Sequence, residues 1–120
     1  MRLFLVPLVA YVLVPLDHPA EPTERAMRIA FEQRLQVQVA NVLEFLAETG
    51  GPAAVARVRD AGMDKFTVRT FKKLDCAPER DGFLCSFEVD MTLVTGPLEQ
   101  KISGRFGPGP NGRLTFVQDT

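Results

Sequence analysis

From Glu21 to Glu48 apolar residues recur at helical spacing. Met27, Phe31, Leu35, Val42, Phe45 and Leu46 fall on one stripe with Val39 at its edge, while Arg25, Arg28, Glu32, Gln33 and Gln36 lie opposite. Pro22 and Thr23 suit the entrance of a helix and Gly50-Gly51 its exit. The pattern predicts a long amphipathic helix that must lie across something apolar. A second, short helix is expected from Pro52 to Ala61, opened by the proline and stopped by Gly62, with Val55 and Val58 inward.

After Gly62 the period falls from about 3.6 to 2. Phe83, Cys85, Phe87, Val89, Met91 and Leu93 share one face of a strand; Leu84, Ser86, Glu88, Asp90, Thr92 and Val94 share the other. Leu98, Ile102 and Phe106 continue the apolar face on a following strand, with Glu99, Lys101, Ser103 and Arg105 outward. A turn over Val94 to Pro97 places Asp90 opposite Lys101 and Glu88 diagonal to Arg105. The preceding strand, about Lys65 to Cys76, changes parity between Val68 and Phe71 and again before Leu74, which calls for a bulge near Lys72-Lys73. A last strand, about Arg113 to Gln118, follows the loop Gly107 to Gly112, whose Asn111-Gly112 suits a hairpin turn.

This order predicts an α+β fold: a long amphipathic helix and a short helix packed on one face of a three- to four-stranded antiparallel sheet. The segments Phe71 to Cys76, Gly82 to Phe87 and Gly104 to Phe106 resemble small bacterial exported proteins of cystatin-like or NTF2-like α+β architecture. The resemblance covers about a third of the chain. It implies a fold and export, and no activity.

The amino terminus bears on location. Arg2 precedes an apolar run from Leu3 to Leu16, followed by the polar, helix-breaking Asp17-His18-Pro19-Ala20. The run is short for a bilayer span and is interrupted by Pro7 and Pro15. Residues 1–20 therefore read as an export signal, and 21–120 as one domain, periplasmic or secreted; Ala20 is a candidate cleavage site, imperfect because His18 stands where a small residue is expected. The competing reading is a buried strand or helix, or an uncleaved anchor. No cysteine follows the run, so lipid modification of the amino terminus is excluded.

Cys76 and Cys85 are the only cysteines. An even count in an exported chain, with Pro78 and Asp81-Gly82 between them, points to a disulfide closing a turn. Metal binding by the pair is the weaker reading, because no histidine stands near it.

With 46% apolar residues, nine Phe and 24% charged residues the chain should pack a core. A formal charge of −1, with basic and acidic residues interleaved, gives no attraction to nucleic acid or to an anionic membrane surface. The single His, His18, and the single Tyr, Tyr11, lie in or beside the leader, and there is no Trp. The expected mature domain thus lacks the bases of Ser-His, Cys-His and His-metal chemistry, and a tyrosine oxyanion donor. Asp60, Asp64, Asp75 and Asp81 sit near helix ends or turns, where acids are solvated.

Two further features carry no activity. Gln36 to Ala40 lacks the glycine of a cystatin inhibitory hairpin and lies mid-helix, and the Gly107 to Gly112 loop leads to no helix that could hold a phosphate. Arg69, Lys72, Lys73, Lys101 and Arg105 share the sheet with Glu88, Asp90 and Glu99 and read as a solvated mixed-charge face.

No cofactor and no metal is expected. The sequence points to a non-catalytic binding or protein-interaction module of the cell envelope, with an unknown protein or small apolar ligand as partner. The alternative is a small carboxylate-dependent enzyme with a cleft between helix and sheet. A cleft there would be lined by Phe31, Leu35, Phe87, Val89 and Ile102, which are equally the expected core.

Overall fold

A computed structural model describes residues 20–119; all but the last residue of the expected export signal lies outside them. One helix, α1 (Glu24–Asp60), is followed by β1 (Phe66–Glu79), β2 (Gly82–Leu93), β3 (Gly96–Pro108) and β4 (Leu114–Gln118). The strands form an antiparallel sheet in the order β1-β2-β3-β4. The fold is α+β, with α1 packed against an open sheet.

Thr23 starts the helix: its Oγ1 accepts the Ala26 N–H at 3.1 Å, satisfying an otherwise free amide of the first turn. Gly51 interrupts α1 with φ 75° and ψ −176°, and Pro52 follows directly. The short helix expected at 52–61 is therefore not a separate element, because residues 52–60 are the last part of α1 beyond this break.

Only the first third of α1 is deeply buried. Met27, Ala30 and Phe31 sink into the core, whereas Val42 and Phe45, expected on the inward stripe, are 56% and 62% exposed. The inner sheet face supplies Val68, Phe71, Cys85, Phe87, Val89, Met91, Ile102, Phe106 and Phe116. Gly104 lies on the same face, and the Phe116 ring occupies the space that a side chain there would need.

β2 and β3 are joined by a two-residue turn, Val94-Thr95, with Leu93 opposite Gly96. The expected register is corrected by two residues: Glu88 faces Lys101 and Asp90 faces Glu99, because the turn is tighter than Val94 to Pro97. A shift of two keeps side-chain parity, so the apolar face is unaffected.

β1 carries two irregularities, at Arg69 and at Leu74-Asp75, on either side of the single bulge expected near Lys72-Lys73. The first turns Lys73 to the inner face, opposite Phe87, and not to the outer charged face. Lys73 Nζ donates to the Pro22 carbonyl at 2.7 Å and pairs with Glu21 Oε1 at 2.6 Å. The Lys73 N–H donates to Glu24 Oε1 at 3.2 Å, and Arg28 Nη2 donates to the Val68 carbonyl at 2.7 Å. Side chains at the start of α1 thus occupy backbone groups of the edge strand. Lys73→Met keeps the stem but removes the ammonium, and is expected to lower stability by about 1 kcal/mol in a denaturant titration.

Candidate functional site

The centre of the helix–sheet interface is filled. Phe87 meets Phe71 at 4.6 Å in a stacked arrangement and Phe31 and Phe116 edge-on at 5.2 and 5.5 Å. Of the five residues expected to line a cleft, Phe31, Phe87, Val89 and Ile102 are buried in this core, and only Leu35 borders the cavity between helix and sheet. The cleft is displaced toward the far half of α1.

That cavity, of about 250 Å³, is bounded by Leu35, Val39, Val42 and Leu43 of α1, by Val58 beyond the Gly51 break, and by Met63, Phe66, Met91 and Leu93 at the sheet end. Leu35, Val39 and Leu43 stand four residues apart and therefore form one row along the helix. The change of direction at Gly51 lets Val58 share a wall with Leu43. Sequence reasoning left Leu43 off the apolar stripe although its spacing from Val39 was visible; Val58 on this wall is a long-range consequence of the break.

Three polar side chains join the lining: Gln38, Asp64 and Lys65. Asp64 is half-buried, and its Oδ1 is shielded from solvent with no hydrogen-bond partner among the described residues. Asp60, Asp75 and Asp81 are exposed, as expected of acids at turns and helix ends. The site therefore offers an apolar body and one unsatisfied acceptor. Burial of an aliphatic or aromatic group is favourable there, and the Asp64 carboxyl in the lining is an acceptor for a ligand's donor.

The outer sheet face bears Thr70, Lys72, Glu88, Asp90, Glu99 and Lys101 around a shallow depression. Lys72, Glu88 and Lys101 alternate in sign across three strands, whereas Asp90 and Glu99 are like charges directly opposed. A second apolar recess, of about 400 Å³, lies at the opposite end of the sheet between Pro22, Ala26, Phe83, Phe106 and Leu114. Arg105 on the outer face pairs with Glu79 at 3.1 Å.

Cys76 and Cys85 are directly opposed on β1 and β2 and form a disulfide. No group of acids, histidines and cysteines that could hold a metal ion occurs among the described residues, and none of their helices is long and apolar enough to cross a membrane. A scan of the chain against protein-family models gives no match, and searches of curated proteins and of solved structures find no similar protein.

Proposed function

We propose that this chain is a non-catalytic binding module of the cell envelope, which holds a small apolar ligand bearing a hydrogen-bond donor between α1 and the sheet end. The observation that carries the reading is the apolar cavity, with Asp64 as its one unsatisfied acceptor. Its lining from Leu35 to Leu93 supplies the driving force, and Asp64 orients the ligand. Export is part of the proposal, supported by the Arg2 and Leu3–Leu16 pattern and by a disulfide of the kind that persists in oxidising compartments. A cystatin-like or NTF2-like architecture is proposed with it, on the strength of a helix packed on an antiparallel meander.

N-phenyl-1-naphthylamine, a neutral apolar fluorophore with one N–H, tests the site. Its emission is expected to rise saturably at one molecule per chain. Val58→Trp, which fills the cavity from its outer wall, should abolish the rise while leaving the melting temperature close to that of the unchanged protein. Asp64→Ala, which removes the acceptor, should weaken binding by about tenfold or less, the worth of one hydrogen bond. No saturable binding, or equal binding by Val58→Trp, overturns the proposal.

The second reading is a carboxylate-dependent enzyme, and a half-buried acid at an apolar cavity is the observation in its favour. General acid–base work also needs a partner group in reach, and the other polar side chains of the lining are Gln38 and Lys65.

A further inference from the structure

The middle of α1 presents a second surface, separate from the cavity wall. Beyond Phe31 no residue of α1 is fully buried, and the next break is Gly51. Residues 34–50 thus form a helical stretch about 25 Å long whose side away from the cavity is open to solvent. On it Arg34, Val37, Asn41, Phe45 and Glu48 are all exposed and recur at spacings of three and four, so they form one stripe. Val37 is 48% and Phe45 62% exposed, two apolar side chains on the one stripe.

We propose that this stripe is a homodimer interface, in which two copies of α1 pair antiparallel about a two-fold axis at Asn41. The stripe is complementary to itself reversed. Antiparallel pairing centred on Asn41 brings Arg34 against the partner's Glu48 and Val37 against the partner's Phe45, each contact occurring twice. The two exposed apolar residues cover one another, opposite charges close both ends, and an amide pair at the axis fixes register. Parallel pairing would instead set Arg34 on Arg34 and Glu48 on Glu48, so charge selects the antiparallel arrangement. Length selects it as well: in this register the partner's Gly51, where its helix breaks, falls opposite Phe31, where this helix enters its own core. The open side is consumed from end to end. A second copy fits it in sequence, charge and length.

The test uses the full chain. Under mild oxidation Asn41→Cys is expected to convert largely to a disulfide-linked dimer, because the two thiols meet at the axis. Gln36→Cys, exposed on the opposite side of the helix, should remain monomeric. In sedimentation equilibrium Arg34→Glu is expected to raise the dimer dissociation constant about tenfold, and Arg34→Glu/Glu48→Arg to restore it to within about threefold. A monomer at concentrations up to roughly 0.5 mM, equal cross-linking at both positions, or no rescue by the double reversal overturns the proposal. A different protein as occupant would give the first of these results. The fluorophore assay reads the cavity and not this stripe, so the two proposals fail separately.

Discussion

Phe87→Ala is expected to cost about 3–5 kcal/mol, most of what holds a domain of this size together. Phe87 is 0% exposed and joins every layer of the fold. Its ring stacks on Phe71 of β1 at 4.6 Å and meets Phe31 of α1, Phe116 of β4 and Phe106 of β3 at 5.2, 5.5 and 5.9 Å. Truncation removes the apolar area of one ring and leaves a void bordered by four others. Those four rings are themselves in contact, Phe31 with Phe71 at 5.9 Å and with Phe116 at 5.6 Å, and Phe106 with Phe116 at 4.9 Å, so collapse into the void is restricted. Phe87→Leu, which keeps most of the volume, should lose only about 1–2 kcal/mol and remain measurable if the alanine variant does not fold. Denaturant titration reads both. A loss below about 1.5 kcal/mol for alanine would show that the aromatic cluster is not the centre of the core.

The core was legible in the sequence because alternation on β2 identifies Phe83 to Leu93 as one face, and helical spacing sets Met27 and Phe31 on one stripe. Periodicity reports which residues share a face; it does not report where the opposing surface ends. Val42 and Phe45 lie on the helical stripe and yet are exposed, because beyond Phe31 α1 faces the sheet end across the open cavity that Val42 helps to line. For the same reason Phe31, Phe87, Val89 and Ile102 could be read as cleft or as core, and the decision rested on side-chain packing that only three dimensions provide. The displaced cavity depends on Gly51: Gly50-Gly51 was readable as a helix end, but not the direction in which Val58 would return. Lys73 has a local cause of a different kind. The bulge at Arg69 inverts its parity relative to Phe66 and Val68, the irregularity at Leu74-Asp75 restores it before Cys76, and each leaves only a weak mark in the pattern. The inward lysine then finds Pro22 and Glu21, contacts across about fifty residues of chain that no local spacing reveals.

Replacing the disulfide should separate two effects. The bond closes a loop with a sequence separation of 9, and in the chain-entropy account its loss costs about 2–3 kcal/mol by freeing the unfolded chain. Cys76→Ala/Cys85→Ala is expected to show about that loss. Cys76→Ser/Cys85→Ser should lose a further 1–3 kcal/mol or so, because Cys85 is 1% exposed and a hydroxyl there enters the aromatic core without a partner. The fold itself should survive in both variants. The hairpin is held independently by the Ala77–Leu84, Pro78–Phe83 and Glu79–Gly82 pairs around Arg80-Asp81, and Phe83 is tied onward to Phe106. Unchanged far-ultraviolet circular dichroism with a lower denaturant midpoint is therefore the expected signature, and a rise in the denaturant slope would show that the unfolded state has expanded. Alanine and serine pairs of equal stability would place Cys85 at the surface, contrary to its packing. An alanine pair as stable as the unchanged protein would mean that the loop closure contributes nothing. The same bond links structure to location. Thiol titration of the unfolded, unreduced protein from its native compartment is expected to find no free thiol, and two free thiols there would remove the disulfide from the case for export.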